Sequence, residues 1–199
     1  VLPGATHGLA VAPDGLAAAT SAGLFAVDLD GQVRRLDTEP GLEGAWMSVA
    51  FHGGGVWAGN MEGVARFPMS GAAGGGAAWL GTSDGFTASW GTALLSDGDR
   101  LLVGTYADGV WAVDAEGAHV LPGLGGQWVP PNALARVNGE LWIGGLGMNP
   151  VVVGPDGTPL QVPTPARDVN GFAVGADGHV VMFTSDGLAT ARRAPVASR

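Results

Sequence analysis

The fold is decided by the stretch Leu102-Val103-Gly104-Thr105-Tyr106-Ala107-Asp108-Gly109-Val110. An apolar run enters a short polar turn and returns through a glycine followed by an aliphatic residue. Related segments return at Gly23-Leu24, Gly63-Val64, Pro150-Val151 and Gly187-Leu188. They recur at a mean spacing of about 41 residues, so the chain consists of five repeated units.

Each unit contains four short apolar segments separated by turn residues. The turns include Pro13-Asp14-Gly15, Asp30-Gly31, Asn138-Gly139, Asp156-Gly157 and Asp177-Gly178. Asp-Gly and Asn-Gly pairs supply the positive φ angles that tight hairpins require. The chain also contains 36 glycines among 199 residues, and no segment shows a capped helical period. Four strands per unit at this spacing predict an all-β, closed five-bladed β-propeller with four-stranded antiparallel blades.

A single domain over residues 1–199 is expected, with blades at approximately 6–44, 45–85, 86–126, 127–168 and 169–193 plus 1–4. In this arrangement the fourth strand of the last blade comes from another part of the chain, because the fifth unit ends after its third strand. The N-terminal Val1-Leu2-Pro3-Gly4 has the same sequence as Val120-Leu121-Pro122-Gly123, which falls at the fourth strand of the third unit. We therefore expect the N-terminal segment to complete the last blade and remove an exposed edge.

The composition excludes several classes of function. All nine basic residues are arginine and cysteine is absent, so lysine-dependent and thiol-dependent chemistry cannot occur. A net charge of −9 without a basic stripe argues against nucleic acid and anionic membranes as partners. No apolar run is long enough for membrane insertion as a helix.

The repeats resemble the propeller repeats of two-component sensor ectodomains, whose blades carry "DG-x-LWIGT…GL" patterns. The first-strand segments His7-Gly8-Leu9-Ala10-Val11 and Asn170-Gly171-Phe172-Ala173-Val174 are also similar to the NHL and SMP-30/gluconolactonase type of propeller. Those families generally have six or more blades, whereas this chain has five units. The sensor-like repeats, with a chain that begins at Val1, favour a periplasmic or secreted location over a cytoplasmic one.

A small-molecule site is expected at one end of the central channel, where propellers usually bind ligands. Alignment of the units on their turn glycines places one residue per blade around the channel mouth. This ring comprises His7, Met47 or Trp46, Trp90 or Gly91, Asn132 and Asn170. Tyr106 lies in a neighbouring loop, and Trp128 approaches from the segment before blade four. Aromatic side chains together with a few polar groups are typical of a small-molecule or carbohydrate site.

A divalent metal is a second hypothesis for the ring. In SMP-30-like enzymes, asparagine side chains at these strand starts join carboxylates around the ion, and the resemblance implies His7, Asn132 and Asn170 as ligands. Only Asp168 and Glu62 are placed to add a carboxylate. A plugged channel that packs or bonds its own side chains is the competing interpretation.

Three functions therefore remain open at this point. The chain is a propeller module that binds a small molecule or sugar, a metal-dependent SMP-30-like hydrolase or lyase, or a protein-interaction scaffold. Glycosidase chemistry is disfavoured, because nearly every aspartate occupies a turn position that local backbone hydrogen bonds explain. The ligand, any cofactor, the oligomeric state and the wider chain context are left undetermined.

Overall fold

The computed structural model describes residues 1–68, 76–164, 168–175 and 179–192. In these residues, 19 strands form five separate antiparallel sheets, and the only helical element is a single 3₁₀ turn at Thr82–Asp84. Consecutive strands in sequence are neighbours in every sheet. The five-bladed propeller architecture predicted from the repeat is confirmed.

The blades follow one another along the chain. Blade one contains β1 (Thr6–Ala12), β2 (Gly15–Thr20), β3 (Gly23–Asp28) and β4 (Val33–Arg35). Blade two contains β5 (Ser48–His52), β6 (Gly55–Gly59), β7 (Val64–Pro68) and β8 (Ala78–Trp79). Blade three contains β9 (Gly91–Asp97), β10 (Arg100–Thr105), β11 (Val110–Asp114) and β12 (Gly117–Val120). Blade four contains β13 (Leu134–Val137), β14 (Glu140–Ile143), β15 (Val151–Val153) and β16 (Pro159–Gln161). Blade five contains β17 (Val169–Val174), β18 (His179–Thr184) and β19 (Gly187–Arg192).

The hairpin between β13 and β14 shows how turn chemistry sets the strand register. Asn138 and Gly139 have φ angles of 50° and 83°, so both central residues are left-handed. That conformation matches the right-handed twist of the flanking strands, and Asn-Gly adopts it at low cost. Val137 consequently pairs with Glu140, and the rest of the hairpin follows in register.

The core is divided into four hydrophobic clusters, one at each junction between consecutive blades. Trp46, Phe67 and Leu24 belong to the cluster between blades one and two. Leu101 belongs to the next cluster, between blades two and three, and Trp142 to the one between blades four and five. The cluster between blades three and four includes residues such as Leu102, Leu141 and Ile143. Each blade is thus held mainly by apolar contact with the blade next to it.

The predicted N-terminal strand of the last blade is not observed. Residues 1–4 contain no strand, and the fifth sheet has three strands among the described residues. The N-terminal segment instead lies beside the β2–β3 turn of blade one. Ala5 accepts a 2.9 Å hydrogen bond from the Ser21 backbone N–H, and its own N–H donates to the Ser21 hydroxyl at 2.9 Å. A four-residue identity was too short to specify a pairing partner, because strand pairing depends on backbone position rather than on local sequence.

Two expectations fall outside the described residues. They are the Asp177-Gly178 turn of blade five and the end of that blade at residue 193. No helix in the described ranges is long and apolar enough to cross a membrane.

Candidate functional site at the channel mouth

The innermost strands of blades one and five begin with the same register irregularity. In blade one, Thr6 pairs with Thr20 and Gly8 with Ala19, so His7 is the extra residue of a β-bulge. Blade five has the same irregularity, which leaves Asn170 unpaired in the equivalent position. Bulges of this kind redirect a side chain away from the sheet. Both His7 and Asn170 are exposed at the start of an innermost strand.

Blade three contributes a different residue from the one predicted. The bulge of its first strand lies between Gly91 and Ala93, so Thr92 and not Trp90 is equivalent to His7. Thr92 is buried, and its hydroxyl donates to the Gly104 and Val129 carbonyls at 3.0 and 2.6 Å. Alignment on turn glycines missed this, because Gly98 is the first residue of the β9–β10 turn, whereas Gly15 follows the β1–β2 turn. Thr92 therefore stabilises the blade three to blade four connection and does not face a ligand.

Asn132 crosses from blade four towards blade one. Its side-chain amide donates to the His7 carbonyl at 2.9 Å, and its Oδ1 lies near the space above Gly8. The Asn132 backbone N–H donates to the Thr92 carbonyl, which fixes the residue beside blade three as well. Its φ of 60° is left-handed, a region that asparagine tolerates better than most residues. Three blades are thus connected through one exposed asparagine.

Three aromatic rings near the start of β9 contact one another through Tyr106. The ring centroids of Trp90 and Tyr106 are 4.5 Å apart, and those of Tyr106 and Trp128 are 4.2 Å apart. Tyr106 is 37% exposed and the two tryptophans are half-buried. We call Trp90, Tyr106 and Trp128 the aromatic triplet. Sequence reasoning placed all three at the mouth, and the structure brings them into contact with one another.

Backbone hydrogen bonds hold the triplet from both sides. The segment carrying Trp128 is fixed where Val129 N–H donates to the Thr105 carbonyl and Gly109 N–H donates to the Gln127 carbonyl, both at 3.0 Å. Trp90 has a φ of 58°, a left-handed conformation that is unfavourable for a bulky residue. A strained aromatic residue at a surface is the kind of feature that often accompanies a functional site.

Trp46 does not belong to the site. It is fully buried, packs against Phe67 and Trp79 with ring centroids 5.3 and 5.7 Å away, and donates its indole N–H to Asp37. The prediction that Trp46 stacks on a ligand is wrong, because both faces of its ring are occupied by the core. Its neighbour Met47 is half-buried at the start of blade two, and its N–H donates to the Gly59 carbonyl.

The loops between the second and third strands share one hydrogen-bond pattern. Thr20, Thr105 and Thr184 each donate their hydroxyl to a glycine carbonyl across the turn, at 2.8 to 2.9 Å. Each also accepts a backbone N–H from within the turn. In blade two, Asn60 Oδ1 accepts the N–H groups of Glu62 and Gly63 in the equivalent turn. These residues are occupied with holding the loops and are not free to bind a ligand.

A metal held by His7, Asn132 and Asn170 stays a prediction. No group of three or more His, Asp or Glu side chains within the described ranges is arranged to hold an ion. Asp168 accepts hydrogen bonds from the Gly147 N–H and the Ser185 hydroxyl, at 2.7 and 3.0 Å. These bonds lower the pKa of the Asp168 carboxyl. Asp168 therefore connects the loops of blades four and five.

Two cavities lie at the opposite end of the propeller, where the turns after first and third strands meet. One cavity, of about 760 Å³, lies between blades two and three and is lined by residues that include His52, Trp57 and Trp79. The other, of about 720 Å³, lies between blades three and four. In it, Arg136 Nε and Nη2 donate to Asp97 at 2.7 and 2.6 Å. This ion pair, with Arg100, lowers the pKa of Asp97 although partial burial opposes the shift.

Comparisons with known proteins support the fold. No family model matches the chain, and no curated relative matches it in sequence. Among solved structures, the chain is similar to the extracellular domain of the putative hybrid two-component system BT4673 from B. thetaiotaomicron. The TM-score is 0.77 with 14% identity over 96% of this chain and 28% of that one.

Two further structures extend the comparison. The extracellular domain of the putative hybrid two-component system BT3049 from the same organism has a TM-score of 0.74 with 17% identity, over 96% of this chain and 29% of that one. XC5397, a gluconolactonase from Xanthomonas campestris, has a TM-score of 0.65 with 16% identity, over 92% of this chain and 70% of that one. The chain thus spans less than a third of each sensor ectodomain. At these identities the likeness establishes a shared propeller fold, consistent with the resemblance in the repeats.

Proposed function

We propose that this chain is a ligand-binding propeller module that recognises a sugar or a similarly flat, neutral metabolite at the channel mouth. The observation that carries the proposal is the aromatic triplet, whose rings are in contact and partly exposed. Asn132 and His7, which we predict at the same mouth, are joined by a hydrogen bond and add polar groups. Aromatic faces bind the apolar face of a sugar ring, and a few hydrogen bonds set its orientation.

The chemistry of the face favours a neutral ligand. The triplet is uncharged, and the net charge of −9 repels anions over the whole surface. The exposed side chains of Asn170 and His7 add donors and acceptors without a fixed charge cluster. An extracytoplasmic location is part of this proposal, since the two similar sensor domains are extracellular.

The test is a calorimetric and fluorescence titration with glucose, maltose and cellobiose as probes. We expect saturable binding that quenches tryptophan emission, and a loss of at least about tenfold in affinity in Trp128→Ala, equal to about 1.4 kcal/mol. Trp128→Phe keeps a ring and should retain most of the affinity. His119→Ala, exposed on β12, is the remote control. Unchanged affinity in Trp128→Ala would overturn the site, and no saturation with any probe would overturn the sugar class.

A further inference from the structure

The cavity between blades two and three lies at the end of the propeller opposite the mouth and measures about 760 Å³. Pockets that hold small ligands usually measure about 300–1,000 Å³, so its volume suits a small molecule. One wall comes from strands β6 to β8 of blade two, and the other comes from β11, β12 and the turns of blade three. It shares no residue with the aromatic triplet, so it is a separate candidate site.

Aromatic and aliphatic side chains line part of this cavity. Trp57 of β6 and Trp79 of β8 contribute indole rings, and Leu80 and Val113 contribute aliphatic groups. All four side chains are half-buried. The Trp57 indole N–H is itself buried and makes no hydrogen bond with any described residue. Because buried donors in native proteins are normally paired, a hydroxyl oxygen on a ligand would satisfy this group.

The remaining lining is strongly acidic. Four carboxylates line the cavity, against the single guanidinium of Arg66, and they belong to Asp84, Asp99, Asp114 and Glu116. Asp99 and Glu116 are exposed, and neither makes a side-chain hydrogen bond or ion pair within the described ranges. Their charges are therefore available to a cation that enters from solvent.

The next junction shows how the protein balances such charge elsewhere. By strand register, His52 and Ser96 occupy the positions that Asp97 and Arg136 occupy between blades three and four. Asp97 and Arg136 form an ion pair, whereas His52 Nδ1 and Ser96 Oγ share a hydrogen bond of 2.9 Å. The arginine that neutralises a carboxylate at one junction is thus a serine at the other. The acidic lining between blades two and three is consequently balanced only in part, by Arg66.

We propose that the cavity between blades two and three is a second ligand site, which takes a small organic cation of the quaternary ammonium type. A methylated ammonium group presents its charge through apolar methyl groups, and indole rings attract such a cation. The ammonium of a primary amine is more strongly hydrated and fits an apolar wall less well. The surrounding carboxylates add long-range attraction and repel anions.

Calorimetric titration with choline at low ionic strength is the first measurement. The matched probe is the neutral alcohol in which a tert-butyl group replaces trimethylammonium, because it keeps the shape and loses the charge. We expect saturable binding of choline, affinity lower by at least about tenfold for the alcohol, and weaker choline binding in high salt. No saturation with choline, or equal affinity for the two probes, would overturn the proposal.

Charge variants test the contribution of the carboxylates. Asp99→Asn and Glu116→Gln should each lower choline affinity by about threefold, and the double variant by about tenfold. Both side chains are exposed, so circular dichroism should remain that of the wild type. Asp14→Asn is the matched control, since Asp14 is an exposed aspartate directly before β2, as Asp99 is directly before β10. A double variant that binds choline as tightly as the Asp14→Asn control would contradict the site.

Tryptophan variants distinguish this cavity from the channel mouth. Trp57→Leu removes the indole ring and should lower choline affinity by at least about tenfold, whereas Trp57→Phe keeps an aromatic ring and should retain most of it. Circular dichroism of both variants checks that the fold persists. Choline binding that is lost in Trp128→Ala and retained in Trp57→Leu would place the cation on the aromatic triplet and overturn the proposal.

Discussion

The side-chain amide of Asn132 donates to the carbonyl of His7 across 125 positions of sequence, with the nitrogen and oxygen 2.9 Å apart. The bond connects the innermost strands of blades four and one at the channel mouth. The bond restricts the conformation of the residues around the mouth. Because the Asn132 amide nitrogen is bonded to backbone, the side-chain oxygen of Asn132 points in a fixed direction. The mouth is thus partly pre-organised before any ligand arrives.

Two replacements of Asn132 separate the contribution of this hydrogen bond to stability from that of the backbone conformation. Asn132→Ala and Asn132→Gly both lose the hydrogen bond to His7, but only glycine accepts a φ of 60° without strain. We expect alanine to lower the free energy of unfolding by about 1 kcal/mol more than glycine does. Urea unfolding of the three proteins measures the difference. Equal stability of the two variants would show that the left-handed conformation is not retained.

Asp37 makes the stability of the chain sensitive to acid. Burial raises the pKa of Asp37, but hydrogen bonds from Arg35, Trp46 and the Leu24 and Gly44 backbones outweigh it and hold the pKa below its usual value. The carboxylate therefore stabilises the fold above the unfolded-state pKa of about 3.9, and this contribution is lost as pH falls through the lowered folded value.

Asp37→Asn should reveal that contribution. At pH 7 the variant loses charge-assisted hydrogen bonds to the Arg35 and Trp46 side chains, and we expect a loss of about 2 kcal/mol in unfolding free energy. Near pH 3 the difference from wild type should shrink, since Asp37 in the unfolded chain, with an ordinary pKa of about 3.9, takes up a proton there and favours unfolding. Parallel denaturant titrations at the two pH values provide the measurement, and a pH-independent difference would argue against an ionised Asp37.

The ion pair between Asp97 and Arg136 holds blades three and four together at the end opposite the mouth. A double-mutant cycle with Asp97→Asn and Arg136→Met should give a coupling energy of about 1 kcal/mol at low salt. Both side chains are partly exposed, so the coupling should fall in high salt. Arg100→Met serves as the comparison, because its single bond to Asp97 at 3.0 Å is longer. A coupling that is absent at low salt would contradict the bidentate geometry.

Thr105 supports the loop that carries Tyr106. Its buried hydroxyl donates to the Gly109 carbonyl and accepts from the Asp108 N–H. Thr105→Val removes both bonds and leaves the Asp108 N–H without this partner, whereas the Gly109 carbonyl still accepts the Thr105 N–H. We expect a loss of about 1–3 kcal/mol in unfolding free energy. Thr105→Ser keeps the hydroxyl and should cost less. Thermal and urea unfolding compare the two variants, and a valine variant as stable as the serine one would show that water replaces the bonds.

The repeat predicted the blades because hairpin turns and strand alternation are local properties of the sequence. The same repeat predicts the positions of His7, Asn132 and Asn170, and each of these residues comes directly before the first regularly paired or hydrogen-bonded residue of its innermost strand. Trp46 and Trp90 show the limit of what the repeat can predict. The sequence does not distinguish the buried Trp46 from the half-buried Trp90. The turn glycines Gly15 and Gly98 also occupy different positions in their turns, so an alignment on them shifts the register of blade three.

The four junctions have a consequence for how the molecule opens in solution. Among the described residues, hydrophobic clusters pack on both sides of blades two, three and four, whereas blades one and five each pack on one cluster. When stability is a sum of nearest-neighbour terms, the ends of such an array unfold before its middle. Amide hydrogens should therefore exchange fastest in β1 to β4 and β17 to β19 and slowest in blade three. The aromatic residues of the mouth would then lie on the most rigid blade. His7 and Asn170 would lie on two more labile blades, whose spacing could adjust to a bound ligand.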